Sequence, residues 1–131
     1  MNRILLIDDD EVICGSLRHY LTTRGLTADV ALDAESAALR LAANDYAVII
    51  VDPYLTGGSR RDQRELLEII CHLQPAAEII VLTGYNSPEL ERIAAECNVA
   101  ALLTKPQSVV FLNQLICSRY SAREASSKVN L

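Results

Sequence analysis

Ala47-Val48-Ile49-Ile50-Val51-Asp52 is the stretch from which the fold can be read. Five apolar residues, four of them β-branched, run without alternation into one carboxylate. A run this short and unbroken is the pattern of a strand buried on both faces, as at the centre of a parallel sheet. A charge inside such a strand would be costly to bury. At the carboxyl end it reaches the crevice in which open α/β sheets bind their ligands. Pro53 stops the strand at once. Asp52 is therefore the first candidate for chemistry, beside the plainer reading that Asp-Pro merely opens a turn.

Four further strands flank this one. Arg3-Ile4-Leu5-Leu6-Ile7 also ends in acid, Asp8-Asp9-Asp10-Glu11. Thr27 to Ala31 is a weak, short strand near an edge. Glu78 to Leu82 delivers Thr83-Gly84, and Val99 to Leu103 delivers Thr104-Lys105-Pro106. Helical periodicity fills the intervals. Ile13, Leu17, Tyr20 and Leu21 share a face that Gly25 terminates. Asp33 caps a helix with Ala34, Ala37, Ala38 and Leu41 inward. Asp62 begins one with Leu66, Leu67, Ile70 and Leu73 inward, ending before Pro75. Ser87 caps another, with Pro88 at its first position and Leu90, Ile93, Ala94 and Cys97 as its stripe. Ser108 begins the last, with Leu112, Leu115, Ile116 and Arg119 in register. Pro53 to Arg61, with Gly57 and Gly58, is a loop. Residues 121–131 turn polar and small and read as a frayed tail or the start of a linker, so the domain is expected at 1–120.

Five strands alternating with five helices call for an α/β, doubly wound parallel sheet covered on both faces. A chain of 131 residues, half of them hydrophobic, suffices for one such domain. Net charge −5 and a pI near 4.9 argue against nucleic-acid binding by this domain. The apolar runs are too short to span a bilayer, and no signal-peptide core precedes the first strand, so the cytoplasm is the expected location. Cys14, Cys71, Cys97 and Cys117 lie on or beside apolar helix stripes without C-x-x-C spacing, as buried reduced thiols do.

The residues leaving the strands form a constellation. The first strand gives Asp8 and Asp9, the third Asp52, the fourth Thr83 and the fifth Lys105, all along one edge of a parallel sheet. N-capping explains one or two of the acids at 8–11 but explains four in a row poorly. Three crowded carboxylates repel one another, and all-oxygen ligands favour Mg²⁺ over zinc or copper. A carboxylate can attack phosphorus to give an aspartyl phosphate. The transfer then needs little beyond alignment, a metal and positive charge on the equatorial oxygens. Lys105 can supply that charge and Thr83 a hydroxyl. The chain has two lysines, Lys105 and Lys128, against ten arginines, so a lysine at a strand end is conspicuous.

On these motifs, namely Ile-Leu-Leu-Ile-Asp8-Asp9-Asp10, Val-Ile-Ile-Val-Asp52, Ile-Ile-Val-Leu-Thr83-Gly84 and Leu-Leu-Thr-Lys105-Pro106, residues 3 to 120 resemble a receiver domain of a two-component response regulator. The resemblance implies a flavodoxin-like fold with strand order 2-1-3-4-5. It implies that Asp52 accepts a phosphoryl group from a sensor histidine kinase or phosphotransfer protein. Asp8, Asp9, Asp52 and the backbone carbonyl of Tyr54 would hold Mg²⁺, and Thr83 and Lys105 would bind phosphoryl oxygens. Such a domain is a signalling switch, not an enzyme acting on other substrates, and its 88–120 face would meet an effector or dimer partner.

The chain departs from the family in two places. Thr56 stands where the loop after the acceptor usually has proline, and that loop is a few residues long. Leu102 stands where an aromatic residue usually couples to the threonine. Tyr54 and Tyr85, two positions beyond Asp52 and Thr83, are expected to shield an acyl phosphate from water, beside the plainer reading that both rings merely cover the loop surface, and Tyr85 could replace the missing aromatic. Two alternatives follow: a degenerate receiver acting only as a docking module, and a haloacid-dehalogenase-like phosphatase with Asp8 as nucleophile and Asp10 as acid/base. The second lacks the late acidic pair of those enzymes.

Overall fold

The computed structural model describes residues 3–55 and 60–129. Five strands, β1 (Arg3–Ile7), β2 (Thr27–Ala31), β3 (Val48–Val51), β4 (Glu78–Thr83) and β5 (Ala101–Thr104), alternate with five helices. The helices are α1 (Glu11–Thr23), α2 (Ala34–Ala43), α3 (Arg60–Leu73), α4 (Pro88–Glu96) and α5 (Val109–Val129). All neighbouring strands pair in parallel, in the order β2-β1-β3-β4-β5. The sheet and its order are as expected.

Alternate strand residues divide between two cores, as the two-residue period of a strand requires. Ile4, Leu6, Val48, Ile50, Ile80 and Leu82 pack with Cys14, Leu17 and Leu21 of α1 and Leu112 and Ile116 of α5. Leu5, Ile7, Ile49, Val51, Ile79 and Val81 pack with Ala37 and Leu41 of α2, Leu66, Leu67 and Ile70 of α3, and Leu90 and Ile93 of α4. Each fully buried leucine or isoleucine contributes about 1.5–3 kcal/mol by leaving water. This two-sided burial is why β3 has no polar alternation.

The capping chemistry behaves as expected. Asp33 accepts from the Ser36 amide at 2.7 Å and Ser87 from the Leu90 amide at 3.1 Å, with Pro88 in the first turn. Ser108 accepts from the Phe111 amide at 3.0 Å at the start of α5. Gly25, at φ +80°, takes the left-handed position that ends α1.

Five details differ from the sequence reading. Ala34 and Ala38 are exposed, because the buried stripe of α2 is centred on Ala37 and Leu41. Leu73 is also largely exposed: its neighbour Gln74 turns inward instead, donating to the carbonyls of Leu41 and Asn44 and accepting from the Tyr46 amide. Helix α3 already includes Arg60 and Arg61, so it does not begin at Asp62. The segment 56–59, which contains Thr56 and the two glycines of the expected long loop, lies outside the described residues. Strand β5 starts at Ala101 rather than Val99. Asn98 adopts φ 55°, and the Asn98 and Val99 amides bond back to the Ala95 and Ala94 carbonyls, so Val99 belongs to the closure of α4. Finally, α5 continues past Tyr120 to Val129, through residues where a frayed tail or the start of a linker was expected. On that extension Arg123 Nε donates to the Ala76 carbonyl at 2.9 Å, fastening the helix to the turn before β4.

Candidate functional site

Three backbone hydrogen bonds extend the sheet one residue beyond its strands, and each delivers a site residue. The Asp8 amide donates to Ala31, that of Asp52 to Ile7 at 2.8 Å, and that of Lys105 to the Thr83 carbonyl at 2.7 Å. Asp8, Asp52, Thr83 and Lys105 therefore occupy adjacent rungs at one sheet edge because the ladder itself places them there. The Lys105–Pro106 peptide is cis.

The side chains converge as the sequence suggested. Lys105 Nζ lies 2.8 Å from Asp8 Oδ2 and 2.9 Å from Asp52 Oδ2. Asp8, Asp9 and Asp52 each offer a carboxylate oxygen within 4.8 Å of the others'. The remaining oxygens are oriented by the chain: Asp8 Oδ1 accepts from the Asp10 amide at 3.0 Å, and Asp52 Oδ1 from the Tyr54 amide at 2.9 Å. Asp8 and Asp52 are 5% and 6% exposed, whereas Asp9 faces solvent. The donor set is all oxygen, clustered and anionic, which fits a hard divalent cation such as Mg²⁺.

The electrostatics reflect too much negative charge in too little water. Burial raises the Asp8 carboxyl above its usual value; Lys105 and the Asp10 amide oppose this, and Asp52 adds to it. For Lys105, burial works against the ammonium, but its hydrogen bonds to Asp52 and Asp8 win and raise its pKa. Beneath the cluster, Cys14 Sγ donates to the Asp8 carbonyl at 3.5 Å. Burial and the nearby carboxylates push this thiol up to about 12, so it is an inert packing group.

The other candidates are placed as follows. Thr83 is fully buried; its hydroxyl donates to the Tyr85 carbonyl at 2.9 Å and accepts from the Tyr85 amide at 3.1 Å. The Tyr85 ring, 64% exposed, meets the Tyr54 ring edge-on with centroids 6.3 Å apart. Leu102 is partly buried against the core shared with α4. Asp10 accepts from the Val12 and Ile13 amides and caps α1. That role accounts for one acid of the run.

The family model for the response regulator receiver domain matches residues 4–116, which span every residue of this cluster. The chain belongs to the response regulator receiver family. A receiver is a signalling domain of phosphorelays, and relatives with that architecture resemble this chain in both sequence and structure. The nitrogen assimilation regulatory protein NtrX of Azorhizobium caulinodans is 32% identical over 103 residues, covering 79% of this chain and 22% of that protein. The chain spans between about a fifth and a little over half of the curated relatives it matches. A CheY-like receiver domain protein from Methanospirillum hungatei superposes with TM-score 0.84 at 26% identity, over 95% of this chain and 97% of that one. A response regulator protein from Burkholderia pseudomallei, solved with a phosphorylated aspartic acid, calcium ion and citrate, is 30% identical with TM-score 0.76, over 98% of this receiver and 74% of that chain. Sequence reasoning had missed one polar cluster in the receiver, centred on Asp29. A carboxylate in the middle of a short strand was the available signal.

Proposed function

We propose that Asp52 is the phosphoacceptor, charged by the phosphohistidine of a sensor kinase or phosphotransfer protein, with Mg²⁺ held by Asp8, Asp9, Asp52 and the Tyr54 carbonyl. The observation that carries this reading is Lys105 Nζ bridging Asp8 and Asp52 within a cluster of three carboxylates. One lysine cannot neutralise both buried acids it bridges, and with the Asp9 carboxylate beside them the cluster has the oxygen donors for a divalent cation. The bound ion would supply charge neutralisation and orientation for the incoming phosphoryl group.

In the transfer, an Asp52 oxygen attacks phosphorus, the P–N bond breaks, and its electron pair returns to the histidine ring, which takes a proton. Charge gathers on the equatorial oxygens. Lys105, already 2.9 Å from Asp52, needs only to exchange carboxylate oxygens for phosphoryl ones. For Thr83 to donate to a phosphoryl oxygen, its hydroxyl must leave the Tyr85 carbonyl. That opens the Thr83–Tyr85 turn leading to the Ser87 cap of α4. Phosphate would thereby bias the position of α4, shifting a population rather than turning over a substrate. The surface formed by α4, β5 and α5, with Val110 and Phe111 exposed, would carry the signal to an effector or second copy. Among the described residues no helix is long and apolar enough to cross a membrane, and a cytoplasmic location is part of this proposal.

Intact mass after treatment with acetyl phosphate and Mg²⁺ tests the reading. The expected result is a single phosphoryl adduct, absent without metal and absent from Asp52→Asn. A folded protein that binds Mg²⁺ yet takes no adduct would instead be a docking module, and turnover of a phosphate ester by Asp52→Asn would point to a phosphatase.

A further inference from the structure

Two of the four cysteines meet away from the acidic cluster. Cys71 lies on α3 and Cys97 is the C-cap of α4. Cys71 Sγ donates to the Cys97 carbonyl at 3.7 Å, and the Cys97 side chain is close enough to act directly on the Cys71 thiol. Both residues are partly buried and both pack against the core beneath α3 and α4. The other two thiols are elsewhere: Cys14 and Cys117 belong to the core on the opposite sheet face. A disulfide demands near approach of both side chains and backbones; the Cys71 sulfur rests on the Cys97 peptide group and interacts with the Cys97 thiol, which brings the two together on both counts.

We propose that Cys71 and Cys97 are a redox-modifiable dithiol that a peroxide converts to an intramolecular disulfide, tethering α3 to the C-terminal end of α4. One thiol loses its proton and the thiolate attacks a peroxide oxygen; the O–O bond breaks, giving a sulfenic acid and hydroxide, which takes up that proton as water. The second sulfur then attacks the first, the S–O bond breaks, and hydroxide leaves with the second thiol's proton as water. Two thiols are oxidised by two electrons and one peroxide is reduced. Burial, Cys97 and the nearby Glu68 charge push the Cys71 thiol up, so oxidation is expected to be slow. Either sulfur can make the first attack, and the other then resolves the sulfenic acid.

The location gives the bond a consequence that rests on the phosphoacceptor reading. Helix α4 is nine residues long. Its amino end leads from the Thr83–Tyr85 turn through the Ser87 cap, so phosphorylation would act on that end. The disulfide would hold the other end against α3. An oxidised receiver would then take phosphate normally while its α4 responds less.

The test treats the full reduced chain with hydrogen peroxide and reads intact mass, free thiols and disulfide-linked peptides. The expected result is loss of two hydrogens, a fall from four titratable thiols to two, and one linked peptide joining Cys71 to Cys97. Cys71→Ala and Cys97→Ala should each abolish the loss, with folding checked by circular dichroism. The Cys14→Ala, Cys117→Ala double variant should retain it. A linkage involving Cys14 or Cys117, a purely intermolecular dimer, or no loss in the folded protein would overturn the proposal. None of these readouts depends on phosphate, so they stand or fall apart from Asp52. Acetyl phosphate is then added to reduced and oxidised protein. Equal adduct with smaller amide shifts in α4 of the oxidised form is expected; equal shifts would refute the tether.

Discussion

Two buried aspartates on the same sheet, Asp29 on β2 and Asp8 just after β1, have opposite electrostatic fates. Asp29 lies mid-strand on the face covered by α2 and α3, where Arg3 from the start of β1 and Tyr46 from just before β3 reach it. Arg3 donates to both its oxygens at 3.2 and 3.0 Å, the Tyr46 hydroxyl donates at 2.8 Å, and Arg40 stands 3.5 Å away. Burial opposes its charge, but the hydrogen bonds from Arg3 and Tyr46 and the two guanidinium charges outweigh it and hold the carboxyl below its usual value. Cations outnumber the anion there, and the Tyr46 hydroxyl is itself pushed up to about 12 by burial and Asp29. At the carboxyl ends of the strands Asp8 and Asp52 share one lysine, and the Asp8 carboxyl is raised. The Asp29 cluster is electrostatically complete and stabilises the fold. The Asp8 cluster is left with more buried negative charge than Lys105 offsets, an imbalance of the kind a divalent cation would relieve.

The comparison can be broken most forcefully at Lys105. Its raised pKa means that it contributes stability below the unfolded value of about 10.4, lost only as pH rises through the higher folded value. Lys105→Met leaves two buried carboxylates unpaired and should cost about 3 kcal/mol at neutral pH without metal. Urea melts should show part of that loss returned by Mg²⁺; a metal-insensitive loss would mean the acids do not form one site.

Asp29→Ala should cost about 2 kcal/mol, less than a fully buried pair because both arginines are partly exposed. Acceptance of phosphate and the response to Mg²⁺ should be unchanged. The sign of the pH effect follows from the lowered carboxyl. Asp29 adds stability above the unfolded value of about 3.9, and this is lost as pH falls through the folded value. The variant should therefore show a shallower acid-side decline in denaturant midpoint, and an unchanged decline would assign the effect to packing.

Asp8→Asn should go the other way. Removing a carboxylate whose ionised form the folded state disfavours should leave metal-free stability unchanged or higher by up to about 1 kcal/mol. The stabilisation that Mg²⁺ gives wild type should disappear. Clear destabilisation of the metal-free variant would place Asp8 with Asp29 among the structural acids. The smallest effect concerns the rings: Tyr54→Ala and Tyr85→Ala should each lose an acyl phosphate several-fold faster than wild type. Equal decay rates would make the edge-on ring pair a surface contact only.

The recurrence of short apolar runs with helical intervals made the fold class legible, because two-sided burial leaves no room for polar alternation. The acids and lysine of the site were legible for the same reason: where an unbroken run ends in a charge, the parallel sheet has already determined which edge it reaches. Tertiary context decided what local pattern could not. The Asp29 cluster joins Arg3, Arg40 and Tyr46 from separate elements, and no spacing along the chain encodes their meeting. Asn98 moved the start of β5 by closing α4, and Arg123 found the Ala76 carbonyl beyond the point where composition suggested a tail. Helix periodicity assigned Leu73 to the core, but only packing between α3, α2 and the start of β3 could give that place to Gln74. The sequence by itself determined which residues must leave water and which strand ends must carry charge, because hydrophobic burial and the two-residue strand period act locally. Which charges end as closed pairs, and which remain poised at an edge, was decided by distances between elements, which only the folded sheet establishes.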